Sequence, residues 1–362
     1  MTDITIEAVL YEDCEDCGNS VPESSIQDTG YRGLCHNCYN RYMFTCDYCG
    51  DEFDVLYEAR YYVGAYDSYC ESCTENHAYY CEPCDEYHTD GPCDSGHLSG
   101  LEDYSYKPVP YFYGGDARSW LYFGAEIEME SRNGDGQEAL DYFMSKFDRD
   151  EFYYKSDGSL YSQDGFEMVS HPRTLDSWQD LLPRLQDTMQ RARDLGMRSW
   201  NTDTCGIHIH IDSRAFGGSS AHLYRFTQFI YRNPAEMQRL AGRGSVHYAE
   251  FMGDHSRRVT LPRDIKDRKR YGGAGDRYLA VNLQNRKTVE VRMFRGSLKP
   301  ERLIANIELL HALVSYTRDM TTQQAFAGGM KFDVFAHYAL MKRDTYPHLA
   351  ALIADKFDMA SA

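Results

Sequence analysis

Five Cys-x-x-Cys pairs crowd the start of the chain: Cys14/Cys17, Cys35/Cys38, Cys46/Cys49, Cys70/Cys73 and Cys81/Cys84. Cys93 follows, with His97 four positions on. The pairs at 35/38 and 46/49 recur 35 residues later at 70/73 and 81/84, an internal repeat of pair, loop, pair. The loops hold 17 residues between Cys17 and Cys35 and 20 between Cys49 and Cys70, but only eight between Cys84 and Cys93. A Cys-x-x-Cys knuckle aims two thiolates at one tetrahedral ion, and a second pair across a hairpin closes the site. Gly18 and Gly50 follow their pairs, where a left-handed residue is useful, and Asp85 takes that place in the third unit.

The spacing therefore predicts three zinc sites. Cys14, Cys17, Cys35 and Cys38 make the first, and Cys46, Cys49, Cys70 and Cys73 the second. The third combines Cys81, Cys84 and Cys93 with His97, and His88 competes for the fourth position. Ligation interleaved between units is an alternative pattern. A disulfide scaffold would need an oxidising compartment. The opening MTDITIEAVLYEDCEDC has no basic segment followed by an apolar one, so a cytoplasmic location is expected. Locally the knuckles resemble zinc ribbons or treble clefs. A segment with so little apolar sequence draws its folding energy from metal.

Charge separates this segment from the rest. Residues 1–110 hold 23 acidic and four basic residues, a balance of −19, within a chain whose net charge is −18. Eleven of the 12 cysteines lie there too. A site of four thiolates around zinc adds about −2 by charge counting. Binding to phosphate backbones needs a basic surface, so nucleic acid is an ill-suited partner and a cationic protein or ligand a better one. The sequence has no run of 18 apolar residues, and no membrane span is expected. Residues 99–119 (SGLEDYSYKPVPYFYGGDARS) lack periodicity. The expected organisation is a zinc module over 1–100, a linker over 101–119 and a second domain over 120–362.

In that second part, strands alternate strongly. In Tyr122–Glu130, Phe123, Ala125, Ile127 and Met129 fall on one face and Glu126, Glu128 and Glu130 on the other. In GIHIHID, Ile207, Ile209 and Ile211 oppose His208, His210 and Asp212. RYLAVNLQN alternates Leu279, Val281 and Leu283 with Ala280, Asn282 and Gln284, and TVEVRMFR alternates Val289, Val291 and Met293 with Glu290, Arg292 and Phe294. This pattern predicts an α+β fold: an antiparallel sheet with one packed and one polar face. Helices are expected over Gly136–Phe147, Asp176–Leu195, Ser219–Tyr231 and Pro300–Asp319, the second kinked or starting late at Pro183. The last carries an apolar stripe at Leu303, Ile307, Leu310 and Val314. Three carboxylates in a row repel one another unless a cation sits nearby. With imidazoles and arginines on neighbouring strands, the set suits a divalent metal with a phosphate-bearing nucleotide.

FGAEIEME, DGSLYSQDGFEMVSHP, CGIHIHID and RYLAVNLQNRKTVEVRMFRGSL resemble, in order and spacing, the motif series of the amidoligases, glutamine synthetase-like carboxylate–amine ligases of bacteria and bacteriophages. The resemblance covers roughly residues 120–320. It implies a curved antiparallel sheet with helices on one face, whose polar face holds ATP with Mg2+ or Mn2+, and the joining of a carboxylate to an amine through an acyl phosphate. Carried over residue by residue, it implies Glu126, Glu128, Glu167, His208 and Glu290 as metal ligands. It places His210 at a phosphate contact and Arg292 at a phosphate or substrate contact, with Arg243, Arg277 and Arg295 as further anion contacts. Glu130 lies outside the pair, and Cys205 reads as a packing residue. Arg263–Gly275, basic and then glycine-rich, is either a lid over the nucleotide or a solvated loop. His208-x-His210-x-Asp212 also resembles the opening of a metallo-β-lactamase motif, but Ser213 stands where that motif needs histidine. A non-enzymatic zinc-finger adaptor with a degenerate ligase domain is the remaining alternative. Neither the acid nor the amine substrate is specified by these residues.

Overall fold

The computed structural model describes residues 10–64, 67–81, 86–89, 98–115, 120–131, 135–158, 160, 164–202, 204–243, 251 and 279–359. The chain divides into two compact units, Met1–Gly96 and His97–Ala362.

The first unit is built from three-residue strands and seven-residue helices. Tyr11–Asp13 pairs with Ser20–Pro22 around the first knuckle, and Ile26–Asp28 pairs with Gly33–Cys35, which leads into the helix His36–Tyr42. The pattern repeats: Met43–Thr45 pairs with Glu52–Asp54, and Tyr61–Val63 with Asp67–Tyr69 ahead of the helix Glu71–His77. Helices this short are unstable alone. The apolar clusters beneath them are small, centred on Leu34 in one case and on Val63 and Tyr69 in the other, with the buried cysteines completing each. Arg32 ties the two together. Its Nε lies 2.6 Å from the fully buried Asp54 carboxylate and its Nη1 3.3 Å from Asp16.

The second unit is an antiparallel sheet backed by helices. Its strands are β1 (Phe123–Ser131), β2 (Phe152–Lys155), β3 (Phe166–Ser170), β4 (Met197–Arg198), β5 (Gly206–Asp212), β6 (Val281–Asn282) and β7 (Thr288–Arg295). The order across the sheet is β2-β3-β1-β5-β7-β6, with β4 paired to the far end of β1. Residues 98–115 run along this unit, with bridges from Glu102 to Lys155 and from Tyr113 to Arg173. The core face is formed as alternation requires: Phe123, Ile127, Met129, Ile207, Ile209, Ile211, Val289, Val291 and Met293 have no exposed surface.

Helices α1 (Gly136–Lys146), α2 (Leu175–Asp180), α3 (Leu182–Asp194), α4 (Ser220–Arg232), α5 (Pro234–Ala241), α6 (Pro300–Arg318), α7 (Phe332–Met341) and α8 (Pro347–Phe357) complete the unit. The helix expected over Asp176–Leu195 is broken in two, with Pro183 in the first turn of α3, where its missing N–H costs nothing. Helix α6 is not amphipathic. Besides its expected stripe it buries Ile304, Leu309, Leu313 and even Glu308, because α2, α3, α4, α7 and α8 surround it. The carboxylate of Glu308 is satisfied by Gln179, His348 and the amide of Leu349.

One further expectation is corrected, and the polar face proves to be covered as well. RYLAVNLQN yields only the two-residue β6, and Ala280, Val281, Asn282 and Leu283 are all buried, so its alternation is not an inside–outside pattern. The polar sheet face is not solvated. Glu128, Glu130, Glu167, His208 and Glu290 are each under 8% exposed. Among the described residues, no helix is long and apolar enough to cross a membrane.

Candidate functional site

The register of the sheet brings the polar residues into one patch. Glu126 lies opposite His208, Glu128 opposite Glu167, Glu167 opposite Lys155, and His210 opposite Glu290. A bulge between Ile207 and Ile209 on the β5–β7 seam shifts the pairing beside His208.

His208 Nδ1 lies 3.3 Å from Glu126, 3.7 Å from Glu128 and 3.9 Å from Glu290, at the centre of the group. His210 Nε2 lies 3.0 Å from Glu126 Oε1 on its other side. That contact is not aligned as a hydrogen bond, and the nitrogen is shut off from solvent. The other ring nitrogen, Nδ1, is 3.2 Å from the Thr288 hydroxyl. Asn282 donates to Glu290 Oε2 at 2.7 Å, and Arg292 donates to Glu290 Oε1 at 2.5 Å. The Gly206 amide donates to Glu128. Lys155 Nζ stands 2.8 Å from Glu167 with only 12% of its side chain exposed.

These groups are too dry to be indifferent to charge. Burial pushes the Glu167 carboxyl well up, helped by the charge of Glu126, although Lys155 opposes the shift. Burial also raises Glu128. Glu126 goes the other way: burial opposes its ionisation, but His210 and His208 outweigh that and hold it well down. One carboxylate is thus paid for by imidazoles while its neighbours lack enough positive charge. A divalent ion bound there would supply what is missing. Two sets of donor atoms each lie within 4.8 Å of one another: Glu126, Glu167 and His208, and Glu126, His210 and Glu290. Carboxylate oxygen with imidazole nitrogen is a donor set suited to Mg2+ or Mn2+. Glu126 belongs to both sets. Glu128 belongs to neither, and sits beside them against the Gly206 amide.

Arg243 enters the same patch from the end of α5. A Cβ placed on Gly206 would meet its Nη1 at 2.9 Å, with His208 and Glu128 just beyond. Arg295 lies opposite Gly206 in the register but is exposed, and its Nη2 reaches Asn201 at 3.4 Å. Arg277 and the segment 263–275 lie outside the described residues. Glu130 is held by Thr204 at 3.4 Å, with Arg198 at 3.8 Å, apart from the patch. Cys205 is buried, and that burial pushes its thiol up to about 12, as expected of a packing residue. The sequence reading gave no role to Lys155, Asn282, Thr288 or Gly206. Only Asn282 carried a signal, its place in the alternation of RYLAVNLQN.

The first unit holds two tetrads of sulfur. Cys14, Cys17, Cys35 and Cys38 lie within 4.8 Å of one another, as do Cys46, Cys49, Cys70 and Cys73, and all eight are free thiols. Gly18 and Gly50 have φ of +69° and +79° and return their amides to the carbonyls of Cys14 and Cys46. The amides of Cys35 and Cys70 point at the sulfurs of Cys14 and Cys46, at 3.3 and 3.4 Å. Burial raises the Cys14 thiol, but the amides of Cys17, Cys35 and Asp16 outweigh it and bring it down to about 6. Cys46 is brought to about 7 in the same way. Burial pushes Cys38 and Cys73 well up, so one thiol of each tetrad is favoured as thiolate before metal arrives, and four sulfurs at this spacing are a donor set suited to zinc. Of the third expected site, Cys84, Cys93 and His97 lie outside the described residues, whereas Cys81 is buried and His88 half-buried.

Residues 118–314 match a family model described as "Putative amidoligase enzyme". No curated protein matches the chain.

Proposed function

The chain belongs to the amidoligase family, whose model covers more than half its length, and from that premise we propose that it is an ATP-dependent carboxylate–amine ligase with a glutamine synthetase-like catalytic sheet. The observation that carries this reading is the patch itself: Glu126, Glu128, Glu167, His208, His210 and Glu290 on one buried face, with Arg292 and Arg243 at its edge. Bound there, Mg2+ or Mn2+ would neutralise the phosphate oxygens of ATP. Glu126, with Glu167 and His208 on one side and His210 and Glu290 on the other, would hold it.

The chain's own side chains then have separate tasks. Arg292, held by Glu290, and Arg243, held over Gly206, grip the oxygens of the transferring phosphoryl group. Asn282 and Thr288 fix the orientation of Glu290 and His210. Lys155 compensates Glu167, so the patch does not repel itself before metal and nucleotide arrive. The acid substrate's carboxylate oxygen attacks the γ-phosphorus and ADP leaves. The amine nitrogen attacks the acyl carbon, phosphate leaves, and the amine loses a proton. Burial of the patch keeps water from the acyl phosphate.

The zinc module is read as a recruiter. Residues 1–110, which contain it, carry a balance of −19 that attracts a cationic amine substrate or a lysine-rich partner. Hydroxylamine serves as a general amine in the test: the full chain, ATP, Mg2+ and a panel of carboxylic acids should give a hydroxamate with equal amounts of ADP and phosphate. Hydroxamate formed without ATP, or ATP split to AMP, would exclude the proposed chemistry. An adaptor with a degenerate domain would bind its partners and turn over nothing.

A further inference from the structure

A cavity of about 590 Å³ opens beside the patch. Glu126, Gly124 and His210 of the patch line it, together with the rings of Phe112, Tyr122 and Tyr153. Asp212 lines it too, but exposed positive charge outnumbers it. Lys107, Arg286 and Lys287 line it and are exposed, and among the described residues no acid pairs with any of them. Arg214 also lines it but is engaged by Asp212 at 2.8 Å. The lining therefore combines residues of the patch, aromatic rings and exposed positive charge.

Arg292 is turned onto Glu290 and Arg243 lies over Gly206, and neither lines the cavity. Gly206 and His210 are four residues apart on β5, about 13 Å along a strand. Arg243 thus stands away from the cavity, whereas Arg292, held on the register neighbour of His210, stands beside its Glu126–His210 end, so a phosphoryl group gripped there would border the cavity.

Resting on the ligase reading, we propose that this cavity seats the acid substrate, and that this substrate is an extended polyacid. Its reacting carboxylate lies at the Glu126–His210 end, and a second anionic group meets Lys107, Arg286 and Lys287. Strand geometry sets the length. Lys287 precedes Glu290, the register neighbour of His210, by three residues, or about 10 Å. L-Glutamate is too short to join two points so far apart, whereas two to three extended residues of an acidic peptide span about 10 Å. The aromatic rings of the lining pack against the body of such a peptide.

The test uses the full-length protein, the Arg286→Glu/Lys287→Glu variant, and calorimetry at low salt. The probes are triglutamate, triglutamine, L-glutamate and a non-hydrolysable ATP analogue with Mg2+. One charge-assisted contact with these cations corresponds to about tenfold in affinity. Wild type should bind triglutamate about tenfold more tightly than either triglutamine or L-glutamate. The double reversal should abolish that preference while analogue affinity stays within about twofold. Lys107→Glu, on a separate segment, should weaken triglutamate in the same sense if the first variant does not fold. Equal affinity of wild type for triglutamate and triglutamine would overturn the assignment. So would a reversal that weakens the ATP analogue and spares the peptide, because the cavity would then be the nucleotide's. Triglutamate binding as described, with no ATP-dependent hydroxamate from any acid, would leave the cavity assignment standing and remove the ligase reading.

Discussion

Gly206→Ala separates the chemistry of the patch from its stability. Gly206 begins β5, its φ is not positive, and its amide serves Glu128, so a methyl group leaves the backbone bonds in place. The added Cβ would stand 2.9 Å from Arg243 Nη1, 3.4 Å from His208 Nε2 and 3.5 Å from Glu128 Oε2. Only the first is a real conflict. Relief requires the guanidinium to retreat by about 0.5–1 Å, to ordinary van der Waals separation. The atom that yields is the end of a long side chain, so the steric cost is small. Alanine in a strand also gains about 0.5–1 kcal/mol over glycine. The thermal midpoint should therefore hold, or rise by a degree or two. Misplacing a positioning group by about 1 Å costs about 10²-fold in rate, roughly 2.7 kcal/mol in kcat/KM. Arg243→Ala should cost at least as much, and combining the two should add little, because both act through one guanidinium. Hydroxamate formation and thermal melting, measured on the three variants, check this. Wild-type turnover in a stably folded Gly206→Ala protein would remove Arg243 from the machinery.

Glu128→Gln should lower ATP-dependent turnover by about two orders of magnitude or more, while the midpoint without metal or nucleotide holds or rises; a turnover equal to wild type would remove Glu128 from the site. Elemental analysis should find two to three zinc ions per chain, and a strong chelator should unfold the first unit while leaving the melting of the second in place; a zinc content near zero would contradict the tetrads. Burial depresses both His222 and His311 to about 4, well below an unfolded value near 6.5, so each is neutral when folded. Their contribution is fully present above pH 6.5 and is lost as pH falls through 6.5 towards 4, by at most about 3 kcal/mol apiece. His222→Asn should flatten the slope of midpoint against pH across that window, and an unchanged slope would refute the assignment.

Much of this organisation was legible because it depends on period and spacing. Alternation placed Phe123, Ile127, Ile207, Ile211 and Val289 in the core, and the Cys-x-x-Cys repeat named both tetrads with their members. Glycines 18 and 50 were legible for the same local reason. What alternation could not give was depth. It distinguishes two faces without saying that the polar one is covered as well, so the dryness of Glu128, Glu167 and His208 emerged only from the fold. Lys155 was hidden because β2 is short and its partner Glu167 is set by register rather than by sequence distance. In RYLAVNLQN alternation misled, since chain on both sides buries Ala280 and Leu283 alike. Helix α6 shows the same limit: a stripe was visible, but a helix enclosed by five others has no exposed face.

In the proposed reaction a substrate carboxylate attacks the γ-phosphate at the Glu126–Glu290 patch. The most direct measurement follows oxygen. An acid that supports hydroxamate formation is labelled with 18O in its carboxyl group and incubated with the full-length protein, ATP, Mg2+ and an amine. Attack by the carboxylate oxygen leaves that atom on phosphorus, so the released phosphate should carry one 18O per amide formed, and Glu126→Gln should suppress both products together. Amide formed with unlabelled phosphate, or with the label in AMP, would contradict the account.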